Sequence, residues 1–389
     1  MITIQNADAA LKDYYLDAFT AQLNDNVSPF FSAIEKNSDN VSGKDVKLAI
    51  VRGNAAGIVA GSEDGDLPGP YKNRYVNITA PLKNIYGTIE ISDKAMRASR
   101  ESTGAFVNLV NAEMEGLVSS AKENFSRMLF GDGTGRVCVI EGKNSSNVFK
   151  VDFVKPYFIG MQVDVYNSAK QIVSGGNGVF ITDINTGTKT VTLSSGISEN
   201  VTSGYIYVHG SKDGELTGLS AVCFNSEIYG ISKDNDAYFK PYHVEGDGTI
   251  SVKVLTDILD YMEEHRNSKI NMILCSYKTR KMIAELSDTS RRVVNTIDVH
   301  TGYGAITVNN IPVFAEKYCP DNVIYFLNTD DFALYQLCDW EWLEDEDGKI
   351  LKQIPGKAAY SATLVKYAEL ICRKPYGQAT LSDFDPDYT

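Results

Sequence analysis

The chain has 389 residues, 43% of them hydrophobic, enough for two or three domains with cores of their own. Its net charge of −13 argues against a nucleic-acid-binding protein, because such proteins bind mainly through Lys and Arg that neutralise phosphates. The sequence has no secretory signal and no apolar run long enough for a membrane helix, so no membrane association is expected.

Residues 1–42 are predicted to form an N-terminal arm that packs on another part of the assembly. Apolar residues recur at helical spacing from Leu11 to Leu23. The stretch SPFFSAIEKNSDN that follows has the composition of a loosely structured segment. An arm of this length is too short to bury a core of its own.

Residues 43–91 are predicted to form a long β-hairpin with a long tip. One strand covers Val46 to Arg52 and the other starts at Tyr75, with a change of alternation after Pro81 that indicates a bulge or bend. An isolated hairpin is marginally stable, and a long structureless loop is unusual in a compact domain. Both features are explained if the hairpin lies across a neighbouring subunit. The candidate inter-subunit contact residues are Gly53, Ile58, Leu67, Tyr71, Arg74 and Tyr75.

The next two regions differ sharply in pattern. In residues 92–135, Ser92 is suited to cap a helix, and apolar residues recur three or four positions apart up to Met128. One long helix is therefore predicted, ending before Gly131. In residues 136–215, short β-branched and aromatic runs alternate with turn sequences such as SGGNG, which predicts a small β-sandwich or barrel inserted into the main fold.

Residues 216–339 are predicted to be mixed α/β. An amphipathic helix at SVKVLTDILDYMEEHR is followed by a strand at NMILCS, a helix near Tyr277 to Leu286, and short strands that end with FALYQL. In residues 340–389, two long strands are predicted around a charged turn, within WEWLEDEDGKILKQI and AYSATLVKYAELICRK. The last residues, from Pro375, are predicted to be a tail.

Motifs for chemistry are absent. The sequence GDGTGR at 131–136 follows a helix and has Arg136 where a dinucleotide motif needs glycine, so it is interpreted as a turn, like the second GDGT at 246–249. The six cysteines are scattered and are expected to be buried thiols. Four histidines stand isolated in the sequence and are each expected to be a structural or surface residue: His209, His243, His265 and His300. The sequence therefore predicts no catalytic residue, metal site or cofactor, and the protein is not expected to be an enzyme.

The order of these elements resembles the major capsid proteins of tailed bacteriophages, which have the Hong Kong 97-type fold. Three stretches carry the resemblance: ENFSRMLFGDGTG at 123–135, ITVNNIPVFAEKYCPDNVIYFLNTDDFALYQL at 306–337 and LVKYAELICRKPYGQATL at 364–381. It covers nearly the whole chain except the inserted β segment. It implies an α+β fold with an inserted small β-domain, in which the parts are the N-terminal arm (1–42), the extended loop (43–91), the spine helix of the peripheral domain (92–135), the insertion (136–215), the axial domain (216–339), and peripheral strands with the tail (340–389).

The resemblance implies a structural subunit that self-assembles into pentamers and hexamers of an icosahedral phage head around double-stranded DNA. The expected location is the virion, after assembly in the host bacterial cytoplasm. Expected partners are other copies of the chain, a scaffolding protein, a portal and non-specifically contacted DNA, with a decoration protein left open. Two alternatives remain: an encapsulin-type nanocompartment shell protein, and a carbohydrate-binding or hydrolytic protein that uses the β insertion.

Overall fold

The computed structural model of the chain describes residues 28–39, 41–52, 60, 63, 74–94, 103–289, 306–345, 348 and 350–385. The helices of this part are α1 (Pro29–Ala33), α2 (Thr103–Phe130), α3 (Leu219–Phe224), α4 (Val252–Arg266) and α5 (Tyr277–Thr289). The strands are β1 (Glu35–Asn37), β2 (Val41–Ser42), β3 (Asp45–Val51), β4 (Tyr75–Pro81), β5 (Lys83–Ser92), β6 (Arg136–Lys143), β7 (Val148–Val151), β8 (Gln162–Asn167), β9 (Val179–Asn185), β10 (Thr190–Leu193), β11 (Gly204–Val208), β12 (Glu227–Ile228), β13 (Ile231–Ser232), β14 (Tyr242–Gly248), β15 (Met272–Cys275), β16 (Ile306–Val308), β17 (Ile311–Ala315), β18 (Val323–Leu327), β19 (Phe332–Trp342), β20 (Lys352–Gln353), β21 (Ala359–Cys372) and β22 (Ala379–Phe384).

The long helix α2 packs on one face of a five-stranded sheet. The central strand β21 pairs with β5 on one side and with β19 and β20 on the other, and β1 adds to β19. The described part of the predicted apolar stripe of α2, from Met114 onward, faces this sheet, with Met114 and Phe125 buried. The helix comes so close to β5 that a Cβ at Gly87 would lie 2.7 Å from the Leu117 side chain.

The predicted end of this helix before Gly131 is confirmed, since α2 ends at Phe130. Its predicted start cannot be followed through, because residues 95–102 lie outside the described part of the chain. Ser92 is the last residue of β5, and residues 93–94 are helical.

A second, six-stranded sheet has the order β14-β22-β18-β15-β17-β16 and carries α4 and α5. The predicted amphipathic helix is α4: the Ser251 hydroxyl accepts the Val254 amide at 3.3 Å, and Asn267 adopts a left-handed conformation after the last turn. The buried stripe Leu255, Ile258, Leu259 and Met262 packs in the core of this sheet.

The inserted segment forms a closed six-stranded barrel in the order β10-β7-β6-β11-β8-β9, as its pattern of short strands and turns predicted. Its core is separate from those of the two sheets and consists largely of β-branched residues. Because inward and outward side chains alternate along each strand, Val163 and Val165 are completely buried while Tyr166 reaches the outside.

The base of the predicted hairpin is a three-stranded sheet of β2, β3 and β4. Strands β3 and β4 pair from Asp45 opposite Pro81 to Val51 opposite Tyr75. The break in alternation predicted after Pro81 is confirmed, but residues 83–91 do not continue the hairpin as predicted: β4 ends at Pro81, and β5 starts at Lys83 in the five-stranded sheet, paired with β21.

The prediction of a loosely structured segment after residue 27 is wrong. The Ser28 hydroxyl accepts the amides of Phe30 and Phe31 and caps α1, which has Pro29 at its first position. Phe30 and Phe31 are at most 1% exposed, and the Phe30 ring lies 5.3 Å from that of Phe332. Residues 1–27 lie outside the described residues.

The prediction of a tail after Pro375 is also wrong for residues 379–384, which form β22 between β14 and β18 in the six-stranded sheet. In addition, the strand predicted at FALYQL continues to Trp342 as β19 and belongs to the five-stranded sheet. The predicted division at 339/340 falls inside this strand. These pairings join residues distant in sequence, which local patterns do not specify.

Candidate functional site

The predicted contact residues lie at and beyond the end of the described hairpin. Gly53, Ile58, Leu67 and Tyr71 are outside the described residues. Arg74 directly precedes β4 and is exposed, and the neighbouring Tyr75 side chain is 61% exposed. Val51, opposite Tyr75, is 40% exposed. The described end of the hairpin thus presents apolar surface to solvent, and the role of all six residues in subunit contacts stays a prediction.

The base of the hairpin is held firmly by the rest of the subunit. Val46 and Ala80 are buried against Ala333, Tyr335 and Ile371 of the five-stranded sheet. At the other end of the described strands, the Arg52 guanidinium lies 2.9 Å from a carboxylate oxygen of Asp236. The direction in which the hairpin leaves the subunit is therefore defined by both apolar packing and an ion pair.

The hairpin base covers only one end of the sheet face opposite α2. Farther along that face, register places Tyr86, Val365 and Glu341 in one row across β5, β21 and β19. The next row contains Thr88 and Thr363, whose hydroxyls are 3.2 Å apart. We call this region the open face and define it by Tyr86, Cys338, Leu343, Val365 and Tyr367.

Apolar side chains of the open face are unusually accessible. Tyr86 is 57% and Leu343 is 43% exposed, and the ring of Tyr86 meets that of Tyr367 edge-on at 6.1 Å. A depression of about 360 Å³ lies between Trp342, Leu343, Val365 and Tyr367. Val365, which lies between these side chains, is only 2% exposed, so Tyr86, Leu343 and Tyr367 form the accessible part of the face. Exposed apolar surface of this kind marks a protein contact. This signal is invisible in the sequence, because it depends on which strands pair.

On the covered side of the same sheet, Lys366 is completely buried. Its ammonium donates to Gln336 at 2.8 Å and to Asp339 at 2.6 Å, and the rings of Phe125 and Trp340 lie within 6 Å of it. Burial lowers the pKa of Lys366, opposed by the attraction of Asp339. Lys366 is bonded to Gln336 and Asp339 within the sheet and contacts Phe125 of α2, so it is a structural residue that joins the helix to the sheet.

The barrel is connected to the body through a tightly packed junction, defined by Arg127, Gly131–Gly135, Glu215 and Gly218. Two parallel hydrogen bonds, of 2.8 and 2.5 Å, join the guanidinium of Arg127 to the carboxylate of Glu215. These side chains are only 5% and 2% exposed.

The segment GDGTG within the junction is a turn, as predicted, whereas the turn predicted at 246–249 is wrong, because residues 246–248 belong to strand β14. The Asp132 carboxylate accepts the amide of Thr134 at 3.0 Å and also its hydroxyl. Gly133 and Gly135 have φ of +82° and +77°, which favours glycine at both positions.

Between barrel and body lies a cleft of about 800 Å³. Several of its charged residues are already matched within the subunit: Arg136 with Asp132 at 3.0 Å, and Lys155 with Asp321. The Lys155–Asp321 pair connects the barrel to the body, whereas the Arg136–Asp132 pair lies within the turn at residues 132–136.

Residues with potential for chemistry are used structurally. His209 is a structural residue, as predicted: its Nδ1 lies 2.8 Å from Asp164, which also accepts the amides of Gly178 and Gly210 and so holds two loops together. His243 bonds to the Thr380 hydroxyl at 2.9 Å. In the described part of the chain, no three His, Cys, Asp or Glu side chains are grouped to hold a metal ion.

All six cysteines are free thiols. Burial raises the pKa of Cys223 and of Cys275 to about 12, so the nucleophilic thiolate is disfavoured at both. Over the residues that the structure describes, no helix is long and apolar enough to span a membrane.

Glu369 predicts a pH dependence of stability. It is 1% exposed and accepts the Thr217 amide at 2.7 Å. Burial raises its pKa from 4.5 to about 7, although the Thr217 bond acts in the opposite direction. The folded protein thus holds this proton more tightly than the unfolded chain, so stability falls as pH rises from about 4.5 to 7.

We expect Glu369→Gln to raise the melting temperature by a few degrees at pH 8 and to change it little at pH 4.5, because the amide keeps an acceptor for Thr217 without a buried charge. Thermal unfolding followed by circular dichroism at both pH values measures this. Glu90→Gln, at a 57% exposed position, is the control. Equal shifts of the melting temperature at the two pH values would contradict the raised pKa of Glu369.

No protein-family model and no curated protein matches the sequence. Solved structures do match. A chain of the Cyanophage A-1(L) capsid asymmetric unit is 13% identical, with 92% of each chain covered and a TM-score of 0.55. A capsid chain of the native GTA particle is 11% identical, with 94% of this chain and 90% of that chain covered and a TM-score of 0.51. The encapsulin of the holo-SrpI complex from Synechococcus elongatus is 11% identical, with 93% and 90% covered and a TM-score of 0.48.

The similarity extends over nearly the full length of both the cyanophage and GTA chains. The fold of this protein is therefore that of these capsid proteins, the Hong Kong 97-type fold that the order of elements predicted. Because sequence identity is low, the similarity establishes the fold, and function has to be argued from the surfaces described above.

Proposed function

We propose that this chain is the major capsid protein of a tailed bacteriophage. It assembles into pentamers and hexamers that close an icosahedral head around double-stranded DNA. The chain acts as a structural subunit, not as an enzyme, in the virion, after assembly in the host bacterial cytoplasm. Its partners are other copies of itself, a scaffolding protein and the portal, and DNA is contacted without sequence specificity.

The open face is the observation that carries this proposal. A soluble monomer of the capsid fold would gain stability by covering Tyr86, Leu343 and Tyr367, yet these side chains are left in solvent or half-buried. A hairpin from a neighbouring copy offers an apolar end with which to cover them, since Val51 and Tyr75 are exposed there. Each contact of this kind is modest, but many symmetric repeats produce a stable closed shell.

The charge of the chain supports the same role. A net charge of −13 keeps copies soluble before assembly and keeps the wall of a container from adhering to a polyanionic content. Apolar contacts, which are insensitive to this charge, then have to supply the association free energy.

Replacing residues 53–73 by Asn-Gly tests the proposal. The Arg52 amide already bonds to the Arg74 carbonyl at 2.6 Å, so a two-residue turn can close this hairpin without disturbing its base. We expect a folded, soluble subunit that forms no normal shells, because the part that overlaps a neighbour is missing. Negative-stain electron microscopy and size-exclusion chromatography, with scaffolding protein supplied, measure the outcome.

Tyr86→Arg is the complementary variant on the open face, and Thr182→Arg, at an exposed barrel position, is its control. We expect the control and the unmodified chain to form shells and Tyr86→Arg to form none. Normal shells from the shortened hairpin would contradict the overlap. An unmodified chain that stays monomeric with scaffold present would contradict the shell function itself.

A further inference from the structure

The acidic charge of this protein is distributed unevenly. Residues 136–215, which contain the barrel, have seven Lys or Arg and seven Asp or Glu, so their net charge is zero. The charge of −13 therefore belongs entirely to the rest of the chain. Two copies repel each other wherever their bodies approach, and they approach with least repulsion through their barrels.

One side of the barrel carries a row of outward apolar side chains. Register aligns Val139 of β6 with Tyr205 of β11, Tyr205 with Tyr166 of β8, and Tyr166 with Ile172 in the loop that follows. We call these four residues the tyrosine row. At about 4.8 Å between neighbouring strands, it extends over about 15 Å.

The tyrosine row is accessible and firmly supported. Ile172 is 44% exposed, and Val139, Tyr166 and Tyr205 are each partly exposed. The Tyr166 ring meets that of Tyr207, which is 3% exposed, edge-on at 5.0 Å. Rigid, partly exposed tyrosines that need little ordering on contact are typical of the centre of a protein interface.

The cations beside the row are engaged with its rings. The Lys212 ammonium lies 4.8 Å from the centre of the Tyr166 ring, and the Arg136 guanidinium lies 6.0 Å from that of Tyr205. Arg136 is also paired with Asp132. The row is thus neutral and aromatic, and does not offer a free basic patch to an anionic partner.

We propose that the tyrosine row is a contact between two copies of this chain, in which the row of one barrel packs on the same row of the other across a two-fold axis. The neutral charge of the barrel in an otherwise acidic chain favours a second barrel as the occupant. A two-fold contact is self-complementary, so the middle of the row lies close to its own copy. This contact goes beyond the proposed shell function and does not depend on it, because it can form between two unassembled subunits.

The test uses the Tyr205→Cys substitution in the chain whose residues 53–73 are replaced by Asn-Gly. Packed sheets lie about 10 Å apart, so two Cys side chains that face each other near a two-fold axis are within reach of a short bis-maleimide. With this reagent we expect a covalently linked dimer on a denaturing gel. Thr182→Cys, on β9 of the same barrel, is the matched control, and the unmodified chain controls for the six existing cysteines.

A second variant, Tyr166→Ser/Tyr205→Ser, measures affinity without any cross-link. We expect the dissociation constant of the dimer to rise at least about tenfold in sedimentation equilibrium, since truncating central tyrosines commonly has this effect. Both experiments are carried out with residues 53–73 replaced by Asn-Gly, so that shell formation does not obscure the dimer.

Equal cross-linking of Tyr205→Cys and Thr182→Cys, or no dimer in either experiment, would overturn the tyrosine-row contact. Such a result would leave the shell function standing, because that is measured separately on chains with the complete hairpin. Conversely, a dimer together with no shells from the complete chain would support the contact and refute the shell.

Discussion

Replacing Arg127 by methionine is expected to destabilise the protein by about 3–5 kcal/mol. Glu215 is 2% exposed, and Arg127 donates a hydrogen bond to each of its two carboxylate oxygens. Without the guanidinium, a buried carboxylate loses its partner, and the desolvation of its charge is no longer compensated. The loss should appear as a lower midpoint of urea unfolding, measured by circular dichroism.

The double variant Arg127→Met/Glu215→Leu separates the ion pair from simple packing. Replacing both members of a buried pair by apolar residues of similar size is often neutral or stabilising. We therefore expect the double variant to recover most of the stability that the single variant loses. A double variant as unstable as Arg127→Met would show that the shape of the junction, and not its unpaired charge, causes the loss.

The second large effect is expected at Gly218, where the chain returns from the barrel. A Cβ there would lie 2.4 Å from the Met128 carbonyl oxygen and 2.6 Å from that of Gly131. Both obstacles are backbone at the end of α2, which cannot rotate away as a side chain could. We expect Gly218→Ala to destabilise the protein by about 3 kcal/mol, at the upper end of the usual cost of overpacking.

Gly116→Ala, in the interior of α2, is the matched control. Gly116 is an exposed position of α2, and a Cβ there would meet nothing within 4 Å. Alanine favours a helix interior over glycine by about 1 kcal/mol, so this variant should be more stable than the original chain. The same urea titration measures both variants. Similar midpoints for the two would show that the helix end and the returning chain can separate more easily than the structure indicates.

Both predictions concern the junction because the insertion depends on it. The barrel has its own core, and the five-stranded sheet has another. What joins them is a short length of chain in which a buried ion pair and closely spaced glycines leave little freedom. A rigid junction of this kind lets the position of the barrel be set by α2, and thus by the sheet that carries the open face.

Much of the local structure could be predicted from the sequence. The stripe and end of α2, the amphipathic helix α4 and the alternating strands of the barrel depend on residues close together in the chain. The break at Pro81 was predicted for the same reason, because proline and a change of alternation act locally. The order of these elements was sufficient to predict the capsid fold that the structural comparisons support.

The parts that were predicted wrongly depend on distant partners. Phe30 and Phe31 looked like part of a loose arm, but Phe332 and Phe125 supply aromatic neighbours for them. Residues 379–384 looked like a tail until their pairing with β14 and β18 was seen. The open face and the tyrosine row have the same origin, since cross-strand register determines which side chains become neighbours.

The sequence by itself determined the long helices, the strands of the barrel, the turn at residues 131–135, the break at Pro81, and the separation of charge between barrel and body. Only the tertiary structure decided which strands share a sheet, which aromatic rings are buried and which remain exposed. Local propensity and periodicity act over a few residues, whereas burial and pairing join residues such as Arg127 and Glu215 that are 88 positions apart. The open face and the tyrosine row were decided by the tertiary structure, because a contact surface exists only once distant strands have been brought side by side.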